Sequence, residues 1–184
     1  MSEAATARAA DVVAFWREAG PKAWFKKNEV FDADIRRRFL ATHEAAAAGQ
    51  LTEWEHNAEG ALALLVLLDQ FPRNMFRGLP RMFTTDPMAR AIAAGSIVRG
   101  HDAQVDKNLR NFFYLPFEHS EDLRDQERSI ALCKAAGDAD SLKWAEIHAD
   151  IIRRFGRFPH RNAVLGRATT PEEQKFLDSG GFGG

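Results

Sequence analysis

The sequence predicts an all-α protein, on three observations. No segment shows sustained alternation of apolar and polar residues, tyrosine occurs once, and helical periodicity with capping residues runs through the chain. We expect seven or eight helices joined by short connections, in one domain over residues 1–178. A flexible glycine-rich tail over residues 179–184 would follow it. The 184 residues are enough for one sizeable core, and one domain fits them better than two.

The first two helices are placed by their ends. A first helix is predicted over roughly 4–18, because Gly20-Pro21 would stop it. A second is predicted to begin after Asp32 as N-cap and to end at Gly49. Its buried face would carry Ile35, Phe39, Thr42 and Ala46.

The next two helices also have start signals. Thr52 with Glu55 predicts a capping box ahead of the most apolar helix, about 57–70. Asp86-Pro87 opens the following helix, which would close near Gly95 or Gly100.

Three helices are predicted in the last third. Ser120 would start one that stops at Gly137, and Asp140 or Ser141 one that stops at Gly156. Thr170-Pro-Glu-Glu is the strongest start signal in the chain, since it combines an N-cap, a proline at the first helical position and a glutamate at the third.

The bulk composition excludes several classes of function. A hydrophobic fraction of 45%, a charged fraction of 28% and a net charge of −1 are ordinary for a soluble globular protein, so we expect neither a nucleic-acid nor a membrane partner. The longest apolar run, 61–68, is too short to span a bilayer. A lone Cys133 excludes an internal disulfide and favours a reducing cytoplasm.

A short motif occurs twice. Residues 71–74 read Phe-Pro-Arg-Asn and residues 158–162 read Phe-Pro-His-Arg-Asn, and between Asp150 and Glu172 there are five arginines, one histidine and no carboxylate. Guanidinium groups bind carboxylates and phosphates through paired hydrogen bonds. We therefore predict a polar cleft for a small anion or an acidic peptide, to which both motifs contribute. The candidate ligand-binding residues are Arg73, Asn74, Arg153, Arg157, Arg161 and Asn162.

Several polar residues fall on apolar helix faces or next to them. They are Asp69, Gln70, Glu118, Gln126 and His148. Burial of such groups costs free energy unless each is hydrogen-bonded. They either fix helix register in the core or support the arginine cleft, and the arginines themselves could be paired with Asp69 and Glu118 in a structural ion network.

Two histidines are candidates for acid–base catalysis, His119 among carboxylates and His160 within the second motif. Glu118, His119, Asp122 and His148 could in principle ligate a metal. Their spacing matches no metal-binding signature, so no metal site is predicted. Cys133 lies on an apolar helix stripe and is expected in the core.

Three motifs resemble one bacterial family, known as domain-of-unknown-function 924. They are Asp69-Gln-Phe-Pro-Arg-Asn-Met-Phe-Arg-Gly78, Phe113-Tyr-Leu-Pro-Phe-Glu-His-Ser-Glu-Asp122 with Gln126, and the stretch from Arg154 to Arg167 with the Thr170 helix start. Phe15-Trp16 and Trp24-Phe25 extend the resemblance over nearly the whole chain. It implies a tetratricopeptide-like superhelix of antiparallel helix pairs, and it implies no activity, substrate or cofactor.

Three functions stay open. The first is a helical binding module for an anionic ligand or acidic peptide. The second is a hydrolase or lyase that acts on an anionic metabolite, with His119 or His160 as acid or base. The third is a structural polar network in a protein that forms homo-oligomers through exposed Trp and Phe near its N-terminus.

Overall fold

A computed structural model describes residues 6–182, which contain α-helices, single-turn helices and loops but no strand. The all-α prediction is confirmed. The chain divides into two compact units. Within the described residues, the first unit comprises residues 6–77 and 81–116, and the second comprises residues 78–80 and 117–182.

The first unit holds seven α-helices within its described part. They are α1 (Ala9–Ala19), α2 (Pro21–Trp24), α3 (Glu29–Ala47), α4 (Ala58–Leu65), α5 (Phe71–Met75), α6 (Asp86–Val98) and α7 (Lys107–Arg110). The short α8 (Leu115–Glu118) contains the boundary between the units. Residues 4 and 5 of the predicted first helix lie outside the described residues, and α1 itself starts at Ala9.

The second unit holds α9 (Leu123–Ala136), α10 (Ala139–Phe155) and α11 (Pro171–Asp178). Helices α9 and α10 pack against each other along their lengths. Among the described residues, seven helices have eight residues or more, which agrees with the predicted number; they are α1, α3, α4, α6, α9, α10 and α11.

Helix α3 begins four residues earlier than predicted. Its N-cap is Asn28, whose side-chain oxygen accepts hydrogen bonds from the amides of Val30 and Phe31 at 3.0 and 3.1 Å. Asp32 as N-cap was therefore wrong, because Asn28 offers the same capping chemistry closer to the preceding turn. The predicted buried face of α3 is confirmed, with Ile35 and Phe39 at most 1% exposed.

The start of α4 also differs from the prediction. Thr52 opens a single-turn 3₁₀ helix, and Asn57 caps α4 by accepting a hydrogen bond from the amide of Gly60 at 2.8 Å. Gly60 lies so close to Trp54 that a Cβ atom would overlap the Trp54 carbonyl. The capping box at Thr52 was therefore wrong. The chain leaves the 3₁₀ turn at Asn57, whose backbone is extended, and α4 begins after that residue.

Aromatic side chains fill the core of the first unit. Phe15 and Phe39 have ring centroids 5.0 Å apart, and Phe39 lies 5.0 Å from Phe71. Trp16 packs 5.6 Å from Phe71. Each pair stabilises the core by about 0.5–1.5 kcal/mol beyond its buried area, so α1, α3 and α5 are joined through their rings.

Aspartates cap α9 and α10 of the second unit. The Asp122 side chain accepts from the amide of Arg124 at 2.9 Å, and the Asp138 side chain accepts from the amide of Ser141 at 3.1 Å. The N-cap of α9 therefore lies two residues after the predicted Ser120. That of α10 lies two or three residues before the predicted Asp140 or Ser141. The predicted stops at Gly137 and Gly156 are confirmed, because both glycines adopt the left-handed conformation that closes a helix.

The last helix begins as predicted. Thr170 and Glu173 form a reciprocal capping box, with bonds of 3.2 Å and 2.8 Å. After α11 the backbone turns at Gly180 and Gly181, and Phe182 folds back onto α10. Residues 183 and 184 lie outside the described residues, and the predicted flexibility of the tail stays a prediction.

Within residues 6–182, no helix combines the length and the apolar character needed to cross a membrane.

Candidate functional site

The first motif follows a π-helical turn, Val66–Gln70, between α4 and α5. Pro72 has no amide hydrogen. The carbonyls of Leu67 and Leu68, which a helix would otherwise pair with the amide of residue 72, therefore accept hydrogen bonds from other groups. The Leu67 carbonyl accepts from His43 Nδ1 at 2.9 Å, and the Leu68 carbonyl accepts from Thr85 Oγ1 at 2.5 Å. Side chains from α3 and from the start of α6 therefore hold this turn in place.

Arg73 forms a buried ion pair with two aspartates. Its guanidinium donates to both oxygens of Asp86 at 2.9 Å and lies 3.4 Å from a carboxylate oxygen of Asp69. Gln70 donates to the other oxygen of Asp69 at 2.5 Å. Burial would lower the pKa of Arg73, but the two carboxylates outweigh it and hold that pKa above its ordinary value.

Asn74 converges with a second arginine on one carboxylate. Asn74 Nδ2 donates to Asp32 at 2.7 Å, and Arg77 Nε donates to the same carboxylate at 3.0 Å. Asp32, which the sequence predicted as a helix cap, is thus the acceptor that anchors the end of the first motif.

The second motif has the same kind of anchor. Arg157 donates to both oxygens of Glu173 at 2.6 and 2.8 Å, and Asn162 Nδ2 donates to Glu173 at 3.1 Å. Hydrogen bonding from Arg157, against the opposing effect of burial, lowers the pKa of Glu173 to about 2. The carboxylate therefore stays ionised at all but strongly acid pH.

Arg167 neutralises a further carboxylate of the second unit. It forms a fork with Glu121 at 2.7 and 3.0 Å and also donates to Asn162 Oδ1 at 3.0 Å. The stretch from 151 to 171 has no acid of its own, yet its arginines meet acids that precede or follow it.

The predicted ligand arginines therefore have different surroundings. Arg73 and Arg157 are held by carboxylates of their own units, and Arg153 is exposed at the end of α10. That both motifs serve one cleft stays a prediction.

His148 lies on the inner face of α10. Its Nδ1 is 2.8 Å from the Trp144 carbonyl and 3.1 Å from Glu118 Oε1. Because a carbonyl only accepts, Nδ1 carries the hydrogen and Nε2 keeps a lone pair. Burial is the main cause of the low pKa of His148, which is about 3, and His119, His160 and Arg161 contribute to the same shift.

Arg161 is the one buried arginine of the second motif. Its side chain stacks over Phe158 with the guanidinium carbon 4.4 Å from the ring centroid, and its Nη2 donates to the His119 carbonyl at 3.0 Å. The residue is 7% exposed. Stacking and hydrogen bonding together fix the direction in which this guanidinium points.

Three imidazole rings lie near this arginine, and those of His148 and His160 pack on Phe158 and Phe182. His119 lies 6.5 Å from His148, and His160 lies 5.6 Å from Phe158 between ring centroids. Phe182, from the tail, packs 4.5 Å from His148 and 5.5 Å from His160. We define the histidine cluster as His119, His148, His160 and Arg161.

Gln126 supports the cluster from α9. Its Nε2 donates to the carbonyls of Glu118 and Ser120, both at 2.6 Å, and more weakly to that of Phe117 at 3.4 Å. These bonds fix the turn that carries His119. The inward placement predicted for Gln126 is confirmed, since the residue is fully buried.

Two other sequence-derived candidates have simple outcomes. Cys133 is fully buried, and burial raises the pKa of its thiol to about 12, so it is a core residue and not a thiolate. In residues 6–182, no group of three or more potential ligand side chains is arranged to hold a metal ion.

The sequence did not indicate Asp32, Asp86, Glu121 or Phe182 as partners of these groups. Each partner is separated from its target by 13 to 46 residues or comes from the tail. Capping signals were the only local evidence, and they indicated a different role for Asp32.

The fold and these contacts define a class: an all-helical protein in which repeated arginine–asparagine motifs are anchored on carboxylates. The chain belongs to the family described as bacterial protein of unknown function (DUF924), whose model matches residues 12–181. It is similar to the solved structure of a protein of unknown function from Agrobacterium tumefaciens, with 51% identity and a TM-score of 0.90. The match covers 93% of this chain and 97% of that one. No curated protein matches the chain.

Proposed function

We propose that this protein is a binding module for a small carboxylate or phosphate, and that the histidine cluster is its site. One observation carries the proposal: three imidazoles and an oriented guanidinium gather in one unit, beside Phe158 and Phe182. Guanidinium and imidazole N–H groups, here those of Arg161, His119 and His160, can donate hydrogen bonds to an anion, whereas His148 uses its Nδ1 hydrogen on the Trp144 carbonyl.

The charges around the cluster support an anion over a cation. Burial is the main cause of the low pKa of His148, and the Arg161 guanidinium is a nearby cation that contributes to it. Of the two nearby glutamates, Glu121 accepts the Arg167 fork and the Phe158 amide, and Glu118 Oε1 lies 3.1 Å from His148 Nδ1.

The same reasoning separates the other arginines from the ligand. Arg73 and Arg157 each already hold a buried carboxylate, so an external anion would have to displace an internal one. We assign them to stability. A cytoplasmic location, inferred from the single cysteine, belongs to the same proposal.

The test is a titration with inorganic phosphate and with acetate, followed by NMR of the histidine ring protons and by thermal unfolding. We expect saturable shifts at His119 and His160 and a gain of about 2.7 kcal/mol at 100 times the dissociation constant. His160→Gln and Arg161→Lys should weaken binding at least tenfold. Arg153→Gln, at an exposed arginine near the end of α10 in the same unit, is the matched control and should bind like the wild type.

Two results would contradict the proposal. One is the absence of saturable histidine shifts with either anion in a folded wild-type protein. The other is equal weakening in Arg153→Gln and Arg161→Lys, which would indicate screening of surface charge. Circular dichroism of each variant checks that the helices are intact.

A further inference from the structure

A short C-terminal strap, which we define as residues 179–182, runs from the end of α11 back to α10. The amides of residues 179–181 donate to carbonyls of α11 at 3.0–3.1 Å. The Phe182 ring meets α10, where its centroid lies 4.5 Å from that of His148 and 6.2 Å from that of Trp144. The other strap residues are one serine and two glycines, so the apolar contact with α10 depends on a single ring.

The Phe182 ring covers two imidazoles of the histidine cluster. It lies 4.5 Å from His148 and 5.5 Å from His160. Both imidazoles also contact Phe158, each at 5.6 Å, and that ring is fully buried. Phe182 is only half-buried. Of the two phenylalanines that touch these imidazoles, Phe182 is therefore the one on the solvent side.

Glycine gives the strap a defined closed position and also freedom once it is released. Gly181 lies so close to Phe176 that a Cβ atom would overlap the Phe176 carbonyl and ring, so the closed position requires glycine there. Two glycines precede Phe182 and two follow it. Glycine loses more backbone freedom on ordering than any other residue. Because one half-buried ring has to offset that loss, the closed position is weakly held.

Open space beside the ring gives it room to move. A groove of about 410 Å³ is bordered by Phe182 and, among other residues, by Ile147, Ile151 and Phe176. A side chain in a close-packed core cannot be displaced unless its neighbours also move. Phe182 borders unfilled space on this side, so its ring can leave the imidazoles without a shift of α10 or α11.

We propose that the strap is a lid over the histidine cluster. With Phe182 in place, His148 and His160 are shielded from solvent and solutes, and release of that one ring exposes both. The shielding does not depend on what the histidines bind. For the anion site, and resting on the function proposed above, the lid sets how readily an anion reaches the imidazoles.

Chemical modification of the imidazoles measures the lid directly. Diethyl pyrocarbonate is applied to the full-length wild type and to Phe182→Ala, and mass spectrometry follows the rate at each histidine. We expect His148 and His160 to react roughly fivefold faster or more in the variant, since reaction through a locally opened state follows the population of that state. His56, an exposed histidine of the first unit, is the internal reference and should react equally in both proteins.

Two further variants separate the strap from its ring. Gly181→Ala displaces the strap but keeps Phe182, and it should also raise both modification rates. Phe155→Ala removes a ring of the same size from the same apolar cluster, where it packs 5.2 Å from Phe176. It is the matched control, and both rates should stay within about twofold of the wild type. Circular dichroism and thermal unfolding check that the helices are intact.

The outcomes separate the lid from the anion site. Unchanged rates in both Phe182→Ala and Gly181→Ala, with the helices intact, would refute the lid. An equal rise in Phe155→Ala would also refute it, because it would indicate general loosening of the apolar cluster. Phosphate is then titrated into the wild type and Phe182→Ala and followed by NMR of the histidine rings. Faster modification without phosphate binding supports the lid and refutes the anion site, whereas phosphate binding with unchanged modification rates does the reverse.

Discussion

Arg73→Met should destabilise the first unit far more than the loss of one surface ion pair. The variant keeps the aliphatic length but removes the guanidinium that holds Asp86 and Asp69, whose side chains are 10% and 1% exposed. The two largely buried carboxylates would then lose the cation that binds both of them. Breaking a buried pair in this way costs about 3–5 kcal/mol. For a chain of this size, that corresponds to a fall in melting temperature of about 6–20 °C.

Arg77→Met is the matched control, since Arg77 also binds an aspartate but is 38% exposed. Pairs of that kind contribute about 0–1 kcal/mol. Urea unfolding followed by circular dichroism and by tryptophan fluorescence measures both variants. Adding Asp86→Asn to Arg73→Met removes one unpaired charge and should restore part of the loss. Equal losses in the two single variants, or no recovery in the double variant, would refute this reasoning.

Two further predictions concern pH and close packing. His148 has a folded pKa of about 3 against an ordinary 6.5, so only the unfolded chain takes up its proton between those values. The contribution of His148 to the free energy of unfolding should be complete above pH 6.5 and about 2 kcal/mol smaller at pH 5. Denaturant titrations of the wild type and of His148→Gln at pH 7 and 5 measure this difference. Parallel pH profiles of the two proteins would contradict the prediction. Gly60→Ala should destabilise by about 1–3 kcal/mol because its Cβ meets the Trp54 backbone, although alanine usually favours a helix. In the control Gly95→Ala the new Cβ meets only the flexible end of Arg99, at 3.1 Å, so thermal unfolding should show little or no loss, and equal effects at the two glycines would count against the packing argument.

Local sequence signals were sufficient to predict which segments are helical, but they were less reliable for the first residue of each helix. Gly137 and Gly156 ended their helices as predicted, because only the left-handed conformation of a glycine was required. Helix starts were less certain because Asn28 and Asp32 offer the same capping chemistry four residues apart. The choice between these two caps depends on tertiary contacts. In the fold, the Asp32 carboxylate accepts a hydrogen bond from Asn74, which is distant in sequence.

The candidate site shows the same limit. Composition indicated a cationic stretch around Arg157, whereas in the fold Glu173 and Glu121 neutralise two of its arginines. Charge balance along a sequence does not report charge balance in space, since each acid approaches from another element. The inward placement of His148 was predictable from helical spacing, but its tautomer and its low pKa depend on Trp144 and on burial.

The two motifs use one structural solution with one consequential difference. In each, a fully buried phenylalanine precedes a proline, and an asparagine meets an arginine on one carboxylate, Asp32 in the first motif and Glu173 in the second.

The arginine before the asparagine has different partners in the two motifs. Arg73 is bound to Asp86, while Arg161 stacks on Phe158 and donates to a backbone carbonyl. A guanidinium held between two aspartates cannot bind an external anion without displacing them, which leaves the first motif to stabilise the fold. The proposed site lies at the second motif because imidazole rings gather beside its arginine there.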